Sequence, residues 1–187
     1  MEMIIILVVL AAIALWALVT YNGIIGDHNR AQRAWSDVLA YERQKTKVLD
    51  ALEAQASSFK QYEADVLTGI TNLRSAIGRL PGEPDGQKLG AVQEGTKSLV
   101  AGLNAVFEAY PQLGSAGVVN NLMREIAKQE EDVGAAVTIF NRAVQDFNNR
   151  IQQFPGSLIN SNLNKKTAIN PFVDSQASAS FEYKPNL

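Results

Sequence analysis

The chain has 187 residues and is near neutral, with 17 Lys and Arg against 19 Asp and Glu, and it contains one His and no Cys. That balance supplies neither the basic field a nucleic-acid binder needs nor an acidic solvating tail, and it rules out disulfides and thiolate metal sites. With the apolar N-terminus set aside, about 165 residues remain, the size of one ordinary domain around one core.

Met3 to Val19 is an unbroken apolar run, and Ile24 and Ile25 resume it after a short polar stretch. A helix rising about 1.5 Å per residue needs roughly 17 to 25 residues to cross a bilayer, and Trp16 and Tyr21 lie near the end of the run, where amphipathic rings favour the interface. A cleaved signal peptide would carry a basic start, a shorter apolar stretch and a small-x-small site. Here Glu2 stands in place of the basic residues and Ala17-Leu18-Val19 is a poor cleavage site. Residues 1–25 are therefore expected to form an uncleaved single-pass signal-anchor with its juxtamembrane segment. Arg30 and Arg33 follow the run while no Lys or Arg precedes it. The basic bias favours an N-terminus outside and the remainder in the cytoplasm.

Beyond the anchor, apolar residues recur every three or four positions, which predicts helix almost throughout 26–156. Ala31, Trp35 and Val38 mark a first soluble helix continuing from the membrane segment, and the charged stretch Glu42 to Lys47 is expected to interrupt its stripe. Val66, Ile70, Leu73, Ile77 and Leu80 form a second stripe, ended by the loop Pro81-Gly82-Glu83-Pro84-Asp85-Gly86. A third comprises Leu89, Val92, Leu99, Leu103, Val106 and Tyr110, stopped by Pro111 and Gly114, with Ser115 available as a cap.

The last helix carries the strongest pattern: Val119, Met123, Ile126, Glu130, Val133, Val137, Phe140, Val144, Phe147, Ile151 and Phe154 follow steps of four and three without a slip. A period of 3.5 puts them on one seam, as in a coiled coil or left-handed bundle. Pro155-Gly156 ends the helix. Residues 157–187 are read as an irregular tail, partly packed through Leu158, Ile159, Pro171 and Phe172 and frayed beyond. The fold class is all-α: a long antiparallel bundle of about four helices on an N-terminal transmembrane helix.

Tyr21-Asn22 after the apolar run, Ala34-Trp35-Ser36-Asp37-Val38, Tyr110-Pro111-Gln112-Leu113, and Phe140-Asn141, Phe147-Asn148 and Phe154-Pro155 along the last helix together resemble the LemA family of bacterial membrane proteins. The likeness runs over about residues 1–172. The family usually has a proline-containing turn where this chain has Lys45 to Leu52, so the first two long helices are either joined differently here or continuous. Its final proline is usually followed closely by an aromatic-rich end, whereas Asn160 to Asn170 intervenes here before Pro171-Phe172. The resemblance implies a long antiparallel bundle on a single-pass anchor, with no catalytic residues to carry over.

No catalytic, cofactor-binding or metal-ligating residues are expected, and the chain is read as non-enzymatic. One His without Cys supplies neither a nucleophile–base pair nor the paired Glu-x-x-His motifs of a di-metal bundle, and no phosphate loop follows Gly23 or Gly26. His28, next to the anchor, is either a proton-sensitive group or a solvated helix residue, the latter preferred. Glu125, Glu130, Glu131 and Asp132 could be read as a cation site but more often make a solvated face. Glu130 falls on the seam and should find a partner, Arg30, Arg33 or Arg74, unless the seam opens to water there. Asn141 and Asn148 either bond a neighbouring helix and fix register, which is preferred, or face solvent. The Phe140, Phe147 and Phe154 stripe is expected to be core. The functional expectation is a membrane-tethered, non-catalytic scaffold or adaptor that recruits a protein partner, such as a membrane protease or another membrane protein. The alternative is a self-assembling structural or binding module of the cell envelope, a homo-oligomer.

Overall fold

The structure, a computed structural model, describes residues 1–56, 63–109 and 117–174. Four helices account for most of them: α1, Glu2–Ala56; α2, Glu63–Gly78; α3, Leu89–Ala109; and α4, Gly117–Gln152. A short 3-10 turn, Gly86–Lys88, leads into α3, and after α4 a single helical turn, α5 (Gly156–Ile159), runs into one π turn, Asn160–Asn164. Among the described residues there is no strand. The breaks expected at Pro111 to Gly114 and the cap at Ser115 lie outside the described residues, as does the tail beyond Asp174.

α1 is one helix of 55 residues, about 80 Å long at 1.5 Å per residue. Lys45 to Leu52, where the family carries a proline turn, is helix. Met3 to Val19 stands almost wholly exposed, so α1 is long and apolar enough at this end to cross a bilayer, with a mean hydropathy of 3.0 over its most apolar window. The rest of α1 packs antiparallel to α4. His28 meets Phe147, Trp35 meets Phe140 and Lys45 meets Glu130. Each step forward along α1 is thus matched by an equal step back along α4, which is what two helices sharing one seam require. α2 and α3 form a second antiparallel pair, with α2 also leaning on α1. The two helices approach closely at Gly69, beside Leu99, and at Gly95, beside Leu73, where an added Cβ would lie 3.2 and 3.3 Å from leucine methyls.

The core follows the stripes. Ile70, Leu73 and Ile77 of α2, Val92, Leu99 and Leu103 of α3, and Ile126, Val133, Phe140, Val144, Phe147 and Ile151 of α4 are buried. A second buried row on α4, Gln129, Ala136 and Ala143, repeats every seven residues beside the first.

Two expectations are corrected. The charged stretch from Glu42 does not interrupt the α1 stripe: Ala31, Trp35, Val38, Glu42, Lys45, Leu49 and Leu52 form one row with a four-three cadence, and all seven are buried. Glu42 and Lys45 can be there because they neutralise each other three residues apart on the same helix face. Phe154 is not core. It lies two residues past the end of α4, is 77% exposed, and its ring stands 6.1 Å from that of Trp16.

Candidate functional site

Three sets of polar groups lie along the α1–α4 seam, and each is held by the helices that the periodicity dictates. The deepest centres on Lys45. Its ammonium lies 3.0 Å from Glu42 Oε2, pairs with Glu130 Oε1, and donates to Thr96 Oγ1 at 3.4 Å, while Thr96 donates in turn to the carbonyl of Val92 at 2.9 Å. This chain joins α1, α3 and α4. Burial pushes the Glu42 carboxyl above its ordinary value, opposed by the Lys45 charge. Glu130 therefore has a partner, and it is none of the three arginines expected. Arg30 pairs with Asp27, Arg74 bridges Asp50 and Glu53 at 2.6 Å each, and Arg33 is exposed. Of the neighbouring carboxylates, Glu125 accepts from Gln129 at 3.0 Å and Glu131 is exposed. Among the described residues no three acidic or histidine side chains converge as a metal site would need.

The second set lies at the end of the bundle next to the apolar run. Asp27, 3% exposed, receives Arg150 Nε from α4 and Arg30 at 3.2 Å. The Arg150 guanidinium lies over Gly23, where a Cβ would be 2.9 Å from it. His28 is not simply solvated: its ring meets Phe147 edge-on at 5.3 Å. Its pKa falls below the ordinary value chiefly through loss of water, with Lys166 adding to the effect.

The third set was visible in the sequence as the repeated aromatic-Asn. Asn141 Nδ2 donates to the carbonyl of Phe172 at 2.8 Å while the Phe172 N–H donates to Asn141 Oδ1 at 2.9 Å. Asn148 treats Ile169 identically, at 2.8 and 3.0 Å. Each side-chain amide thus pairs with a peptide group as a neighbouring strand would. The spacing explains why two sites suffice: seven residues of helix and three of extended chain both cover about 10 Å. The two asparagines bond not a neighbouring helix, as expected, but the backbone of an extended strap, residues 165–174.

On its other side the strap meets the loop before α3. Gly86 N–H donates to the carbonyl of Asn170 at 2.9 Å, and a Cβ on Gly86 would fall 2.1 Å from Phe172 N, so only glycine admits the strap. Trp35 fixes that loop from below by donating Nε1–H to the carbonyl of Pro81 at 2.9 Å, and Asp174 reaches Gln93 on α3 at 3.5 Å. The strap therefore laces the α2–α3 pair to α4. Ile169 is buried and Phe172 packs against the core. Of the other tail residues expected to pack, Ile159 is buried, whereas Leu158 and Pro171 are exposed.

Asn141→Asp and Asn148→Asp each remove one donor and set a carboxylate against a carbonyl. Each is expected to cost about 1–3 kcal/mol and, together, to expose the strap. Hydrogen exchange reads this directly: the Ile169 and Phe172 amides should lose protection while the α1–α4 amides keep theirs.

What these groups do chemically is hold elements together. The paired charges occupy each other and the asparagines occupy a backbone. One relative, Protein LemA of Metamycoplasma hominis, is 28% identical over 135 residues, which cover 71% of this chain and 60% of that protein. The chain thus spans less than two thirds of the relative's length. Residues 34–181 match the LemA family, and with Trp35, Asn141, Asn148 and the strap they clasp all inside that span, the chain belongs to it.

Proposed function

We propose that this protein is a membrane-tethered, non-catalytic scaffold: α1 crosses the bacterial cytoplasmic membrane, and its continuation presents the bundle on the cytoplasmic side to a protein partner. The observation that carries this reading is the continuity of α1. The exposed apolar run and the buried four-three row are parts of one helix without a break, so the bundle stands as a stiff post on its anchor rather than hanging on a linker. The buried ionisable groups support a structural role, since Asp27, Glu42 and Lys45 are each engaged by an opposite charge. Arg30 and Arg33, both exposed just past the anchor, support this orientation.

Photocrosslinkers placed in cells at Gln145 and Ile139, exposed positions of α4, test the scaffold. A stoichiometric band containing one foreign protein is expected. A ladder of self-adducts alone would favour the envelope self-assembly reading and overturn recruitment. The chain has no Cys, so Gln145→Cys provides a single thiol for orientation. Labelling of that thiol by an impermeant maleimide in intact spheroplasts would reverse the assignment.

A further inference from the structure

We propose that the turn from Phe154 to Lys166 is a second membrane-contacting element, a foot that seats the bundle on the bilayer interface and presents Lys165 and Lys166 to acidic lipid headgroups. The inference rests on the reading that Met3 to Val19 crosses the bilayer.

Beyond that run, the large apolar side chains left exposed among the described residues are Tyr41, Ile139, Phe154, Leu158, Leu163 and Val173. Half of them fall in this one turn, with Phe154 77%, Leu158 52% and Leu163 59% exposed. The turn is placed against α1 at one level. The Phe154 ring meets Trp16, Asn164 Nδ2 donates to the carbonyl of Tyr21 at 3.5 Å, and both α5 and the π turn pack on α1. Trp16 to Tyr21 is also where the apolar run gives way to polar residues, the expected level of the headgroups. Apolar side chains clustered on a surface mark an interaction site, and here the clustered surface is continuous with the apolar helix.

Length makes the same demand. An apolar run of 17 residues spans about 25 Å, several ångström short of a hydrocarbon core of about 30 Å. The side chains of the turn, set beside α1 at Trp16 to Tyr21, widen the apolar band at that edge, where a bare helix would thin the bilayer or tilt.

The turn is also built to keep its shape. The Asn160 side chain clasps Lys166 at both N–H and C=O, each at 2.9 Å, and Lys165 N–H donates to the Asn160 carbonyl at 2.7 Å. These bonds close a loop whose exit residue, Lys165, has φ 51°, a left-handed conformation that favours Gly or Asn over Lys. A lysine thus stands where the backbone favours another residue. Lys165 is exposed and stands next to Lys166, while Arg30 and Arg150 at the same end are held by Asp27, so Lys165 and Lys166 are the cations the foot offers beside its apolar side chains, the pairing that anchors interfacial elements to acidic membranes.

Single thiols carrying an environment-sensitive fluorophore test this in the full chain, reconstituted in vesicles of phosphatidylcholine and phosphatidylglycerol. Leu158→Cys and Leu163→Cys should be quenched several-fold more by lipids bearing a nitroxide near the headgroup than is Ile139→Cys, near the middle of α4. Leu10→Cys, midway along the apolar run, should be quenched best by a nitroxide deep in the acyl chain. In pure phosphatidylcholine, or after Lys165→Gln and Lys166→Gln together, the shallow quenching at Leu163 should fall. If Leu158 and Leu163 behave as Ile139 does while Leu10 is quenched deeply, the anchor stands and the foot is overturned. If Leu10 is not quenched either, the membrane span fails and takes the foot with it.

Discussion

Phe147→Ala is expected to destabilise the bundle by about 3–5 kcal/mol, against less than about 0.5 kcal/mol for Gln145→Ala, a surface change two residues away. Phe147 is fully buried and Gln145 exposed. Truncating Phe147 removes the ring that His28 packs on and opens a cavity where α1 and α4 meet, one turn from the Asp27–Arg150 pair. Urea denaturation of the full chain in detergent measures both. The His28 environment supplies an independent sign. Its pKa is lowered mainly because the ring is partly shielded from water, so its contribution to stability is present above the unfolded value near 6.5 and is lost as pH falls through the lower folded value. In Phe147→Ala more of the ring is open to water, and that acid-side loss should shrink. Equal effects at Phe147 and Gln145 would mean that α4 turns a different face to α1.

The α4 seam was legible because a helix buried on one side must repeat its apolar residues with its own period, and Ile126, Phe140, Val144, Phe147 and Ile151 do so. The same period carried the reading too far at Phe154. Periodicity reports which way a residue faces, not whether anything lies opposite, and beyond Gln152 the chain turns away toward Trp16. On α1 the reverse holds, since charge does not end burial there. The four-three cadence from Ala31 to Leu52 runs through Glu42 and Lys45, and it held the signal that hydrophobicity alone concealed. The buried charges are Glu42 and Lys45, and the antiparallel register adds the partly exposed Glu130 of the facing seam to Lys45.

The asparagines show a different limit. Their seven-residue spacing was plain, and it does fix a register, but that of an extended strap. Nothing in a local window ties Asn141 and Asn148 to Phe172 and Ile169, because the tie is made to backbone atoms, which every residue has. Gly86 was visible only as a loop glycine, although its missing Cβ is what lets the strap pass. In the sequence Thr96, a lone hydroxyl among Val92, Leu99 and Leu103, looks like a gap in a stripe, whereas it is an acceptor for Lys45.

Replacing Lys45 should reveal how the core tolerates charge. Lys45→Met keeps the length of the side chain but leaves Glu42, 3% exposed, without its cation, and is expected to cost about 3–5 kcal/mol. Glu130 suffers less, being partly open to solvent with 34% of its side chain exposed. Glu42→Gln combined with Lys45→Met removes both buried charges and should recover most of the loss, as replacement of a buried ion pair by neutral groups commonly does. The pH dependence separates this from mere loss of packing. Burial raises the Glu42 pKa, so the folded chain holds that proton more tightly than the unfolded chain, and stability falls as pH rises from the ordinary value of 4.5 through the raised one. Lys45 opposes the rise. Without it the folded pKa moves further up, and the declining limb of urea midpoint against pH should extend to higher pH in Lys45→Met and vanish in the double variant. A limb that stays in place in Lys45→Met would mean that Lys45 does not neutralise Glu42 in the folded chain, and that the α1 row holds its charges by reaching water instead.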